Sequence, residues 1–463
     1  MSSVATVANS SALPVQAPRK LTLLRLIAAT YFIVAGGPFG LEDIVARSGY
    51  GGAILMLLIT PLVWALPTAL MVSELASALP VQGGYYVWVK RGMGRFWGFQ
   101  EAWLSLVGSV FDMAIYPTLF VAYLGHFVPA ATAGRRGLWI GVGLVAITAL
   151  WNLLGARAVG GSAVVMGALL LTPFAVLAVY AVLVHSDPRP AAAAGIHADY
   201  LAGIMVAMWN YMGWDNASTI GSEVERPQRT YPLAMAGATL IVTLSYIVPI
   251  AAVATTGLAP SAWSTGGWAE IAQRVVQPAH GPLFLAAAIT AAGMLSALGT
   301  QNALTMVFPR VTAAMAQDGL LPRVFARTSR KTGAPWVSIL ACAAAWALCL
   351  QLSFVKLIML DILLTGLSIL LEFAALVALR IREPDLPRPY RVPGGLFGAI
   401  AIGLPPLALL ALAVVRNDAE PVGPINALQL GLLLIAAGVV TYALMGRRRA
   451  EQRESADASE LSE

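Results

Sequence analysis

The chain has 463 residues, 58% hydrophobic and only 11% charged, with a mean hydropathy of +0.76. Soluble domains carry about 25% charged residues and need polar cover over much of their surface, so this composition excludes a soluble globular fold and makes lipid the solvent. The net charge of +6 sits between apolar runs and forms no basic stripe, which excludes a nucleic-acid-binding surface.

In chain order, residues 1–20 are polar, small and Pro-containing, which predicts a disordered segment and not a signal peptide. Apolar runs long enough to cross ~30 Å of hydrocarbon follow at 21–48, 52–79, 96–125, 137–154, 158–184, 200–224, 231–257, 281–315, 335–352, 355–380, 396–415 and 425–446. They predict about twelve spans, numbered here in that order, in one membrane domain over 21–446. Arg447, Arg448 and Arg449 then open a serine-rich acidic tail, expected to be disordered over 447–463. An even number of spans puts both termini on one side. Most Lys and Arg fall in short connections on that side, such as Lys90, Arg91 and Arg95 or Arg380, Arg382, Arg388 and Arg391. The positive-inside rule makes that side cytoplasmic. Only four lysines, with abundant Ala and Gly, point to a GC-rich bacterial genome and hence to the inner membrane.

Span 1 is interrupted by Gly36, Gly37, Pro38, Phe39 and Gly40, and span 6 by Gly213, Trp214, Asp215 and Asn216. Spans 3 and 8 are unusually long, hence tilted. Each pair lies five spans apart, an odd number, so the second set is inverted relative to the first. This predicts repeat one over 21–184 and repeat two over 200–380, with extra helices over 396–446. Interrupted helices at matching positions mark a substrate site at the bilayer midplane.

Intramembrane acids carry the chemistry. A charge at mid-span costs roughly 2.5–3.5 kcal/mol on insertion scales, yet Glu42 and Asp43 lie in span 1, Glu101 and Asp112 in span 3, Asp215 in span 6, and Asp361 and Glu372 in span 10. Bases are nearly absent from the same spans. An acid-rich, base-poor interior suits a protein that handles protons, cationic substrates or both. Glu101, Ser105, Gly108, Asp112 and Tyr116 form one stripe on span 3, and Asp361, Thr365, Ser368 and Glu372 repeat the same spacing on span 10. At the breaks, Gly36, Gly37 and Gly40 allow close approach to free backbone, while Trp209, Tyr211 and Trp214 offer aromatic faces to a cation. Glu74 reads as an end-of-helix structural acid. Cys342 and Cys349 read as small buried residues, and the four histidines have no metal-ligand spacing. No phosphate loop, zinc-protease motif or nucleophile elbow occurs, so neither an enzyme nor a metal or cofactor site is expected.

Four stretches, GGPFGLED at 36–43, PLVWALPTALMVSELASALPVQGGYYVWV at 61–89, FWGFQEAW at 96–103 and WNYMGWDNASTIGSEVERPQRTYP at 209–232, resemble the amino acid–polyamine–organocation (APC) superfamily, and within it the polyamine:proton symporter branch. The resemblance covers most of the first seven spans and is mainly one of pattern in the last five. It implies an all-α, LeuT-like five-plus-five inverted repeat with broken helices 1 and 6, substrate held between these and spans 3, 8 and 10, and proton-coupled uptake across the plasma membrane. The substrate-binding set expected is Gly36, Gly37, Phe39, Gly40, Glu101, Asp112, Trp209, Tyr211, Trp214 and Asp215. The proton-coupling candidates are Glu42, Asp43, Glu101, Asp361 and Glu372. Two departures stand out. Pro38 and Phe39 replace the small-residue run with which many amino-acid carriers grip a substrate carboxylate. Leu170, three residues before Pro173, replaces a lysine of some proton-coupled relatives. The expected ligand is a small amine or amino acid together with a proton. The alternatives are a neutral or cationic amino-acid permease or exchanger and, less favoured, a channel.

Overall fold

A computed structural model describes residues 21–81, 83–154, 163–184, 200–352, 354–417, 421–422 and 425–460. Residues 1–20, expected to be disordered, lie outside them. Nine helical stretches among the described residues are long and apolar enough to cross a membrane. The described chain is helical throughout, apart from a two-residue antiparallel pairing of Pro421–Val422 with Ile425–Asn426. Outward faces are apolar, with Leu62, Trp139, Phe284 and Phe397 each at least 64% exposed. The buried set holds many polar side chains, including Glu42, Glu74, Glu101, Asp215, Asp361 and Glu372. That inversion of the soluble pattern is what lipid demands.

The first helix stops early. Helix α1 (Leu23–Val34) ends where Gly36, Gly37 and Gly40 take positive φ around Pro38, which has no N–H to give. Helix α2 (Glu42–Thr60) restarts the chain and bends at Gly49 (φ 69°, ψ 174°). It passes through a π-helical turn, Pro61–Ala65, into α3 (Leu66–Ala78). Expected spans 1 and 2 therefore meet at a kink instead of a loop. Then follow α4 (Gly84–Met93), α5 (Arg95–Phe127), α6 (Arg135–Leu153), α7 (Ala163–Val184) and α8 (Tyr200–Asn210).

The second break comes at Tyr211–Trp214, with Gly213 at φ 94°, and the chain resumes as a 3₁₀ helix, Asp215–Glu223. After it come α9 (Pro227–Ala254), α10 (Trp268–Val275), α11 (Pro282–Gln317), α12 (Trp336–Cys349) and α13 (Phe354–Arg382). The expected eleventh span divides into α14 (Gly395–Ala401) and α15 (Leu404–Asn417). Helices α5 and α11, expected to be long, have 33 and 36 residues; at 1.5 Å per residue both exceed the hydrocarbon thickness.

Helix α16 (Ala427–Glu460) runs past 446, where the tail was expected to begin, to Glu460. Its Arg, Ala, Glu and Gln residues are strong helix formers.

Candidate functional site

The two breaks lean on each other and on α11. A Cβ on Gly213 would stand 3.2 Å from the Ile33 carbonyl oxygen, and one on Gly36 would meet Thr300 Oγ1 at 2.6 Å. Carbonyls freed by the first break find donors on α11: Ser296 Oγ–H donates to Gly36 O, and Thr300 Oγ1–H to Phe32 O at 3.4 Å. At the second break, Tyr246 donates to Asn210 O (2.8 Å) and Trp214 Nε1–H to Tyr211 O (2.8 Å). Helix-end carbonyls need such partners away from water.

Between the breaks lies a small cavity. Its walls come from Ile33, Val34 and Ala35 at the end of α1, from Trp209, Asn210, Met212, Gly213, Asp215 and Asn216 around the second break, and from α5, α11 and α13. Asp112 of α5, Asp215 of the 3₁₀ turn and Asp361 of α13 all face it, and no lysine, arginine or histidine is among its lining residues. The three acids are close enough to act on one another electrostatically. Tyr116 (3.0 Å) and Trp209 Nε1–H (3.3 Å) donate to Asp112 Oδ1, and Thr365 donates to Asp361 Oδ1 at 2.7 Å. The Tyr116 and Trp209 rings lie 6.2 Å apart, so aromatic faces and carboxylates share one wall. Asp215 Oδ1 has no hydrogen-bond partner.

Helices α5 and α13 run antiparallel, and their polar stripes meet row by row. Asp361 acts on Asp112, and a Cβ on Gly108 would stand 2.5 Å from Thr365 Oγ1. Ser105 and Ser368 hydroxyls are 2.8 Å apart, and Glu372 acts on Glu101. The equal spacing on the two stripes is what keeps this register. Only the Asp112–Asp361 end opens into the cavity. Ser105 forms its floor, and Glu101 and Glu372 lie beneath it, fully buried.

The expected substrate set therefore divides. Asp112, Trp209 and Asp215 line the cavity; Asp361, expected only to couple protons, joins them. The rest do not line it. Gly36, Gly37, Phe39 and Gly40 are not among its lining residues, and a Cβ on Gly37 would meet Leu170 Cδ2 at 2.7 Å. Phe39 packs edge-on against Tyr123 and Phe174, with both centroid separations 5.1 Å. Tyr211 is spent donating to Leu57 O (3.0 Å), Trp214 on Tyr211, and Glu101 on the serines. Glu42 and Asp43 separate as well. Glu42 is buried behind Phe39 and accepts a hydrogen bond from Tyr123, whereas half-buried Asp43 accepts one from Thr265 (2.8 Å). Residues that sequence reading missed, Thr300, Leu304 and Phe308 of α11 and Asn210 of α8, carry no charge in a mid-span apolar run. Only their place opposite the breaks gives them a role.

Both resumed helices begin with an acid, Glu42 at the first residue of α2 and Asp215 at the first of the 3₁₀ turn. The positive ends of the half-helices thus already face carboxylates of the chain itself.

At the other end of the α5–α13 seam, acids are paired. Glu74 of α3 accepts from Arg380 (2.9 Å to Oε1) and from the Val392 amide (2.7 Å), and Arg388 Nε lies 3.4 Å away. This agrees with its structural reading. Helix α4 is strapped down by Lys90 to Asp318 (2.5 Å) and by Arg91 to Glu383 through two bonds of 2.7 and 2.8 Å. Arg382 also donates to Gly92 O (2.8 Å).

These features, a multi-pass helical membrane protein with a mid-span cavity between two broken helices, define a transporter architecture. The amino acid permease family model matches residues 25–437, and the chain belongs to that family, within the APC superfamily. It is 39% identical over 419 residues to a probable polyamine transporter of Arabidopsis thaliana, covering 89% of this chain and 85% of that one. It is 35% identical over 421 residues to a polyamine transporter of Oryza sativa, covering 90% and 78%. A serine/threonine exchanger of Bacillus subtilis is 26% identical over 385 residues, covering 81% and 85%.

Proposed function

We propose that this permease is a secondary active transporter that takes up small organic amines, aliphatic polyamines first, by proton symport through alternating access. In this reading spans 1–5 and 6–10 form the inverted repeat, the protein sits in the plasma membrane, bacterial inner membrane included, and both termini are cytoplasmic. The observation that carries it is the cavity: three acids, three aromatic side chains and no base among its lining residues. An ammonium group gains from desolvated carboxylates and from ring faces. A substrate carboxylate would find no cationic side chain in the wall, and the positive helix ends are held by Glu42 and Asp215. The polyamine transporters among its relatives support the same substrate class.

The second reading is a neutral or cationic amino-acid carrier or exchanger, favoured by the similarity to the Bacillus exchanger. Purified protein in vesicles separates the two. Labelled putrescine should accumulate saturably, compete with spermidine better than with arginine or leucine, and collapse with a protonophore but not on removal of sodium. Preferential competition by leucine or arginine would overturn the substrate class. Sodium dependence at a constant pH gradient would overturn proton coupling, and ohmic conductance would indicate a channel.

A further inference from the structure

Beneath the cavity floor, Glu101 and Glu372 are fully buried, and Glu101 Oε2 and both Glu372 oxygens have no hydrogen-bond partner. A third, independent group points the same way. The Tyr85 hydroxyl of α4 is also buried, beside Ser105, and its electrostatic neighbours are Glu101, Asp215 and Glu372. Around Glu101 the donor count is informative. Ser105 Oγ and Ser368 Oγ each lie 3.0 Å from Glu101 Oε1 and 2.8 Å from each other. That makes three hydrogen-bonding contacts and only two hydroxyl hydrogens. A proton on the Glu101 carboxyl completes the triangle, each oxygen then donating once and accepting once.

We infer that Glu101 and Glu372 form the proton-carrying site of the transport cycle, separate from the amine cavity and joined to it through the Ser105 and Ser368 hydroxyls. The inference rests on the proton-symport reading above and assigns it to particular atoms. Ser105 lines the cavity and touches Glu101, so a proton passes from the cavity to the Glu101 carboxyl by hydroxyl relay. It gives one hydrogen to Glu101 and takes one from the cavity side, with no net charge left on the serine. Two carboxylates side by side in a low-dielectric interior, with no counter-ion, disfavour holding two full charges.

The groups facing the pair are few. Tyr85 comes from α4 and Asp215 from the 3₁₀ turn. Tyr442 of α16 stacks on Phe99 and Phe96 instead. Arg310 of α11 donates to Met306 O of its own helix, and the bases of α4 bind Asp318 and Glu383. No ion pair reaches Glu101 or Glu372 among the described residues. An alkylammonium would need space that the pair lacks, since neither residue lines the cavity; a proton needs none.

The test uses full-length protein in vesicles with the membrane potential clamped at zero and an imposed gradient of one pH unit. One coupled proton then sustains up to about tenfold accumulation of labelled putrescine. Glu372→Gln should lower accumulation to simple equilibration, while putrescine counterflow persists and its half-saturating concentration stays within about twofold. Ser368→Ala, which leaves both carboxyls in place, should show the same split and decides the matter if the first variant misfolds. Full accumulation in both variants overturns the inference, as does a half-saturating concentration that rises in step with the loss, which would make the pair an ammonium subsite. If wild-type protein ignores the pH gradient, the proton-symport reading fails and takes this inference with it. A responsive wild type with unaffected variants sinks the inference alone.

Discussion

Glu74 and Glu372 are the same residue type, both fully buried, and both on helices that pack near the basic end of the bundle. Glu74 is saturated: two arginines and a backbone amide surround its oxygens. Glu372 has no hydrogen-bond partner on either oxygen. The difference lies in what each acid neutralises. Glu74 lets Arg380 and Arg388 be buried, with side chains only 9% and 3% exposed, and so ties α3 to α13 and to the segment that follows it. Glu372, Glu101, Asp112, Asp215 and Asp361 form no ion pair among the described residues. A fold keeps an uncompensated acid in lipid only where something transient arrives to meet it.

The largest effect should come from breaking the saturated side. Glu74→Gln leaves two buried guanidinium groups without their carboxylate, a loss of about 3–5 kcal/mol when one partner of a buried pair is removed. The apparent melting temperature of purified protein should fall steeply and the yield with it. An unchanged melting curve would place Glu74 among the functional acids after all.

The unsaturated side should behave the other way. Asp112→Asn and Asp215→Asn should leave thermal stability intact or improved, because each removes a charge that the fold does not pair. Diamine binding should weaken by about 2–5 kcal/mol, at least thirtyfold, for loss of a desolvated charge partner, with little change for leucine. Asparagine serves as well as aspartate at the start of a helix, so a purely structural role predicts no change. Binding of putrescine and leucine to both variants separates the outcomes. Small, equal effects would undo the polyamine assignment.

Much of this contrast was legible beforehand. A Gly-Gly-Pro run and a Gly-Trp-Asp-Asn run inside apolar stretches announce breaks, since positive φ and a missing N–H are local properties. Stripes at helical spacing announce which face is polar. What spacing cannot give is which face meets which. Nothing local shows that Asp361 opens into the cavity while Glu101, on an equivalent stripe, lies under its floor. That follows from the antiparallel register of α5 and α13. The glycines of the first break show a related limit: they provide the bend, but the residues that line the cavity, Ile33 to Ala35, precede them. Leu170, where some relatives carry a lysine, packs against Gly37, so the first break is sealed by apolar contact.

The smallest effect concerns the strap on α4. Lys90 and Asp318 are about a third exposed, at 34% and 35%, and an exposed pair contributes at most about 1 kcal/mol. Partial burial works against the Asp318 carboxylate, yet hydrogen bonds from Lys90 and Tyr86 and the charges of Lys90 and Arg95 outweigh it and hold its pKa below the usual value. A group whose folded pKa is depressed stabilises above its unfolded pKa and loses that contribution as pH falls through the folded one. The unfolded reference for aspartate is about 3.9. Between pH 5 and 8 the strap should therefore contribute a constant, small amount, and below about pH 4 it should fade. Asp318→Asn should lower the melting temperature slightly at pH 7, less in high salt, and the gap to wild type should close as pH approaches 3. A loss at pH 7 as large as that of Glu74→Gln would mean that α4 is anchored by a desolvated pair. The contrast between a buried structural acid and a screened surface one would then collapse.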